Sequence, residues 1–169
     1  MQLIENFATN RLLAERLQFQ HLNELNWMHQ NQQVMATLGG VRSDEATRLF
    51  IFNNLHHWQR YGFGLWVFRD KVNHQFVGRA GLRHTDVEGK NEVELAYALM
   101  AKFWGQGLAT EMGEKILQVG FEILKLREVV CFTLTTNKSS QRVMEKLGFK
   151  HERELIYANL PHLFYRLKV

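Results

Sequence analysis

The sequence holds one proline and one cysteine in 169 residues. With Cys131 alone, no internal disulfide can form, which fits a reducing compartment and makes the cytoplasm the default location. No stretch approaches the roughly 18 uninterrupted apolar residues of a membrane span. The start, Met1 to Asn6, has neither a basic cluster nor an apolar core, so neither a signal peptide nor a membrane partner is predicted. No run of five or more basic residues occurs, and the net charge of +4 comes from dispersed Lys and Arg. Such a balance suits an anionic small ligand as well as nucleic acid, and with no nucleic-acid motif present, nucleic-acid binding is not expected. The histidines include His56-His57 but no His-x-x-x-His or Cys/His cluster, so no metal is predicted. Repeats, low-complexity tracts and linker-like segments are also missing.

What is present is an ordinary folded composition, 46% hydrophobic and 22% charged, in a length that suits one domain over residues 1–169. Thr9 to Leu17 reads as a short strand with Leu13 and Leu17 on one face. His21 to Gln30 reads as a helix with Leu22, Leu25 and Met28 as its apolar stripe. Gly39-Gly40 breaks the chain. Ser43 then suits a helix N-cap, with Asp44 and Glu45 complementing the dipole and Leu49, Phe50, Leu55 and Trp58 available for burial before about Arg60. Strand patterns follow at Leu65 to Arg69, Gln75 to Leu82 and Asn91 to Met100. Alternation in the last places Glu92, Glu94, Ala96 and Ala98 on one face, and Val93, Leu95, Tyr97 and Leu99 on the other.

Beyond a glycine-bearing loop, Ala109 to Leu124 is helical, with Met112, Ile116, Val119 and Ile123 facing a sheet. Val129 to Thr135 is a buried strand. Lys138 to Leu147 is a short helix ended by Gly148, and Leu155 to Val169 returns as strands. Helices, an antiparallel meander, then strand–loop–helix–strand–helix–strand give a mixed α/β, or α+β, layout.

The loop Trp104-Gly105-Gln106-Gly107-Leu108-Ala109 lies between a strand and a helix. Glycines there let backbone amides approach a ligand, and amides leading into a helix N-terminus form a nest for phosphates. A plain strand-to-helix turn would use the same residues. The Walker pattern fails, because Leu108-Ala109 stands where Lys-Ser/Thr is required. The dinucleotide fingerprint fits poorly: Thr110 replaces its third glycine, and Glu128 precedes the next strand rather than ending it.

Four ordered segments carry a more specific signal: Glu94-Leu95-Ala96-Tyr97-Ala98-Leu99, Phe103 to Glu111, Asn137-Lys138-Ser139-Ser140, and Glu145-Lys146-Leu147-Gly148-Phe149. Together they resemble the GNAT acetyltransferase superfamily, and within it the branch of the ribosomal-protein N-terminal acetyltransferases. Thr9-Asn10-Arg11-Leu12 and Gly62-Phe63-Gly64 resemble the same branch. The resemblance implies a mostly antiparallel sheet with one splayed parallel strand pair into which acetyl-CoA wedges. It implies that the pantetheine arm pairs with the strand edge Ala98, Leu99 and Met100. The pyrophosphate would rest on the backbone of Gln106, Gly107, Leu108, Ala109 and Thr110. Trp104 stands where the family signature has Arg or Gln, a small departure because amides do most of the phosphate binding.

The implied reaction is direct attack of an amine on a thioester. It needs a group to take the amine proton, a donor for the thiolate and an N–H for the oxyanion. Glu94 occupies the family's carboxylate position; Glu92, on the same face, or a water are the other bases. Either carboxylate could instead be a solvated or ion-paired strand residue. Many members place a donor tyrosine seven residues after the motif asparagine, where this chain has Met144. Ser140 fits the branch's variant, with a local helix-capping role as the bland reading. Asn137 is implied to bond the pantetheine. The acceptor is a protein N-terminal amine or a small-molecule amine, and the enzyme is a monomer or a homodimer. A non-catalytic acyl-CoA-binding or sensing module is the rival reading. Cys131, within Val129-Val130-Cys131-Phe132, reads as a packed thiol rather than a nucleophile. Trp58, Tyr61, Phe63 and Trp66 read as core and acceptor wall, and Tyr157 and Tyr165 as residues within reach of the acceptor.

Overall fold

The computed structural model describes residues 4–169. Its strands are β1 (Asn6–Ala8), β2 (Leu12–Arg16), β3 (Leu65–Asp70), β4 (Phe76–Val87), β5 (Lys90–Leu99), β6 (Glu128–Leu134), β7 (Lys150–Tyr157) and β8 (Leu160–Lys168). They form one sheet in the order β1-β2-β3-β4-β5-β6-β8-β7. Every neighbouring pair is antiparallel except β5 and β6. The helices are α1 (Leu22–His29), α2 (Gln32–Met35), α3 (Asp44–Tyr61), α4 (Leu108–Gln118) and α5 (Lys138–Lys146). This is the mixed α+β layout read from the order of elements, with the single parallel pair that the family resemblance implies.

Side-chain alternation along β4 and β5 assigns the helices to faces. Arg79 on β4 hydrogen-bonds His29 of α1, whereas Leu82 packs beside Gly120 just beyond α4. Tyr97 on β5 reaches Ser140 of α5. Helices α1 and α3 therefore cover one face, and α4 and α5 the other. The core between these layers is built on Leu25, Met28, Ile51, Trp58, Trp66, Phe68, Leu82, Met112 and Ile116. Gly78 lets β4 and β5 approach: a Cβ there would fall 2.1 Å from the Ala98 carbonyl oxygen.

Most predicted elements are present with shifted edges or faces. Ser43 caps α3 by accepting the Ala46 N–H, and the helix ends at left-handed Gly62. Its buried stripe is Thr47, Ile51, Asn54 and Trp58, and Leu49 is 59% exposed. Leu49 stands two residues from both Thr47 and Ile51 and so on the far side of the helix, which pairs its apolar face with α1 rather than following its bulkiest residues. Thr9 lies in a turn, not a strand; its hydroxyl accepts the Leu12 N–H. That turn puts Leu12 and Ala14 inward in place of Leu13. Strand β4 continues past Leu82 to a two-residue hairpin at Glu88 and Gly89, both left-handed, as type I′ turns require. The helix predicted to reach Leu124 changes at Val119 into a π-helical turn closed by Leu124 N–H on the Val119 carbonyl, which leaves Ile123 46% exposed. Strand β7 starts at Lys150, five residues before the expected Leu155.

Candidate active site

The parallel strands β5 and β6 share one registered pair, Glu94 with Val130, and then part. Next to it the Cys131 thiol donates to the Leu95 carbonyl at 3.2 Å. Burial, and then the charge of Glu94, push this thiol well above its usual range, so it stays protonated. On the other side of β5 the ladder to β4 is continuous, and Met100 donates its N–H to Val77 at 2.8 Å. Antiparallel alternation then points the polar groups of Ala98 and Met100 at β4, and those of Tyr97 and Leu99 into the gap. Of the predicted edge Ala98 to Met100, Leu99 is the residue that faces it. The Leu99 carbonyl is held by the Trp104 indole N–H at 2.9 Å.

Trp104 leads into the predicted loop. Gly105 and Gly107 both have left-handed φ angles, 72° and 78°, which non-glycine residues rarely adopt. Gly107 is the N-cap of α4, and no side chain caps it. The first helical hydrogen bond is from Glu111 N–H to the Gly107 carbonyl. The N–H groups of Leu108, Ala109 and Thr110 therefore point outward from the helix end without a helical acceptor. The loop is fixed from outside: Arg11 donates to the Gln106 carbonyl at 2.9 Å and pairs with Glu111 at 2.8 Å. Thr9 also hydrogen-bonds Glu111. Although burial opposes it, hydrogen bonds from Thr9 and Arg11 hold the Glu111 carboxyl below its usual range. Its charge at the mouth of the nest is thus locally neutralised.

The two carboxylates predicted on one face of β5 are both buried, and their environments differ. Both Glu92 oxygens are taken by Arg166, at 2.9 and 3.0 Å, inside a network that adds Glu128 and Glu152. The Arg166 hydrogen bonds hold its carboxyl below the ordinary range. Glu94 instead uses Oε2 alone, toward Arg83 Nε at 3.1 Å. Its Oε1 has no protein partner among the described residues. Glu92 is a structural ion pair, whereas Glu94 keeps an oxygen for other work.

Across the sheet from Glu94, the Ser140 hydroxyl lies 2.7 Å from the Tyr97 hydroxyl. Burial raises the Tyr97 phenol well above its usual range, so it keeps its proton. Asn137 caps α5 by accepting the Ser140 N–H at 3.2 Å. Its amide NH2 makes no hydrogen bond among the described residues. Met144, at the usual tyrosine position, is fully buried. Sequence reasoning overlooked Tyr97 as a hydroxyl for this site. The alternation of β5 already placed it on the face opposite Glu94, and only its partner, 43 residues away, was not readable.

The split strands, the uncapped helix and the flanking groups coincide with a family-wide match. The model described as acetyltransferase (GNAT) domain matches residues 11–150. The chain belongs to the GNAT acetyltransferase family. The GNAT domain is similar to the uncharacterized protein YkkB of Bacillus subtilis strain 168, with 25% identity covering 95% of this chain and 97% of YkkB. Among solved structures it shares its fold with the ribosomal-protein-S5-alanine acetyltransferase of Vibrio fischeri, at TM-score 0.80 and 16% identity over 96% of each chain. It also shares it with the spermidine N-acetyltransferase of Vibrio cholerae in complex with CoA and spermine, at TM-score 0.77 and 16% identity over 94% of this chain and 95% of that one.

Proposed function

We propose that this GNAT domain is a cytoplasmic N-acetyltransferase that moves the acetyl group of acetyl-CoA directly to an amine. The observation that carries this reading is the free edge of β5 ending beside three outward N–H groups at the start of α4. An elongated ligand with an amide-bearing arm and a pyrophosphate fits that arrangement, with the arm along Tyr97 and Leu99 and the phosphates on Leu108, Ala109 and Thr110. The Asn137 NH2, unpaired among the described residues, supports its assignment to the same arm.

In the reaction a C–S bond breaks, a C–N bond forms, the amine gives up a proton and the sulfur gains one. Glu94, with one oxygen free, is the base for the amine. Glu92 is a poor alternative because Arg166 holds both its oxygens. On the opposite side, Ser140 with Tyr97 behind it supplies the proton for sulfur. The burial that keeps Tyr97 protonated makes it a donor rather than a base. Two proton-handling groups on opposite sides of one gap favour an enzyme over a sensing module.

Calorimetric titration tests the binding half: acetyl-CoA is expected to bind and NAD is not. Thiol release with a panel of peptides and small amines tests the transfer half. Absence of both heat and thermal shift with acetyl-CoA overturns the reading; binding without thiol release from any amine assigns the chain to the sensing class.

A further inference from the structure

The face of the sheet that carries Glu94 also carries an excess of positive charge, buried at Arg79 and half-buried at Arg42 and Arg83. Arg79, on β4, is 4% exposed. Its Nε donates to His29 Nε2 at 3.1 Å, and its two terminal NH2 groups have no hydrogen-bond partner among the described residues. Its guanidinium lies 4.5 Å from the Phe50 ring centre, and that of Arg42 lies 5.2 Å from the same ring. Arg83, four residues along β4 and on the same face, touches Glu94.

The groups around this cluster do not balance it. His29 is held neutral, with its pKa lowered to about 3 by burial and then by Arg79 and Arg42. It hands the cluster a lone pair and no charge, while its other nitrogen meets Thr47 at 3.0 Å. Phe50 offers only a ring face. Burial, and then the charges of Arg42 and Arg83, push the Arg79 guanidinium well below its usual range; the one carboxylate opposing them is Glu94, which is already bonded to Arg83. Three guanidinium groups therefore share one carboxylate, and guanidinium does not shed its proton to relieve burial. Buried charge without a partner is costly to fold around, and arginine's planar fork matches carboxylates and phosphates. Beside the cluster the floor of the same face is made of small residues: the Gly81–Ala96 pair lies between the Arg79–Ala98 and Arg83–Glu94 cross-strand pairs.

We propose that the acceptor is an amine carrying an anionic group, a carboxylate or a phosphate, which Arg42, Arg79 and Arg83 bind while Glu94 takes the proton of its amine. This rests on the acetyltransferase reading above. It also excludes polycationic acceptors, since a polyamine or an aminoglycoside would enter a site that is already positive.

Matched pairs test it: a free amino acid against its amide, an aminoalkyl phosphate against the corresponding alkylamine, a peptide with an acidic second residue against its neutral counterpart, and spermidine as the polycation. Thiol release is expected to favour the anionic member by tenfold or more in kcat/KM, roughly the weight of one charge-assisted hydrogen bond. Which pair shows the preference identifies the source of the anion. Arg42→Gln, at the half-buried edge of the cluster, is expected to abolish most of that preference through KM while the acetyl-CoA dissociation constant stays put. Arg79→Lys keeps the charge and is expected to retain part of it. Equal or better turnover of the uncharged or cationic members overturns the proposal and leaves the acetyltransferase reading standing. If no acceptor turns over, thermal shift of the CoA-loaded protein decides: stabilisation by anionic members alone, lost in Arg42→Gln, supports the proposal, and equal or no stabilisation overturns it. Failure to bind acetyl-CoA would defeat the underlying reading instead.

Discussion

The two faces of the sheet at the β5–β6 split are chemically unlike. On the α1–α3 side stand the carboxyl of Glu94 and the guanidinium groups of Arg79 and Arg83, with Glu94 and Arg79 buried and Arg83 half-buried. On the α4–α5 side stand Tyr97, Ser140 and Cys131, all hydroxyl or thiol groups, and burial keeps the protons of Tyr97 and Cys131 in place. A reaction that removes a proton from nitrogen and delivers one to sulfur needs this inequality. A base must be ionised and a donor must not be. One layer of backbone separates the two sides, and the charge of Glu94 acts through it to help keep the Cys131 thiol protonated.

The comparison breaks most severely at Glu94. Glu94→Gln is expected to lower kcat by about 100-fold or more, the usual weight of a positioned base, with acetyl-CoA affinity unchanged by calorimetry. An unchanged kcat would move the base elsewhere. Glu92→Gln makes the contrasting case on the same face. It leaves Arg166 in a buried site short of a carboxylate and should cost about 3 kcal/mol of stability, read from denaturant unfolding, with kcat of the folded enzyme retained. Because Arg166 lowers the Glu92 carboxyl in the folded state, its stabilisation is fully present above the unfolded carboxylate value of about 4.3 and fades as pH falls through the lower folded value. The acid limb of the stability curve should therefore flatten in Glu92→Gln.

Smaller effects sharpen the other side. Ala109→Asp adds a carboxylate to the first turn of α4, which suits the helix dipole but repels phosphate. Acetyl-CoA affinity should fall about tenfold or more while Tm holds or rises. Loss of both would mean that the helix, not the nest, had been damaged. Ser140→Ala and Tyr97→Phe are each expected to lower kcat by about tenfold. The double variant should lose much less than the product, because the two hydroxyls are one connected pair. Multiplicative losses would show that they act separately.

How much of this was legible in the sequence follows from the range of each interaction. The nest, the Ser43 cap, the Gly148 stop and the shared face of Glu92 and Glu94 depend on near neighbours, and local chemistry announces them. Which of those two carboxylates is tied up depends on Arg166, 74 residues from Glu92. The hydroxyl pair spans 43 residues, and the Arg79–His29 contact spans 50. Strand alternation could state that Tyr97 and Glu94 lie on opposite faces, but nothing local could supply their partners. The misplaced burial of Leu49 and Leu13 has the same origin: bulk and periodicity nominate several stripes, and tertiary packing selects one.

The Arg11–Glu111 bridge has a thermodynamic corollary. It ties the turn between the edge strand β1 and its neighbour β2 to the opening turn of α4, 100 residues later. Two segments fastened together share a free energy of opening, so a ligand that steadies one must steady the other by mass action. Saturation with acetyl-CoA is therefore expected to slow amide hydrogen exchange at Asn10 to Leu12 as well as at the loop. Arg11→Ala should uncouple the two, leaving protection at the loop alone.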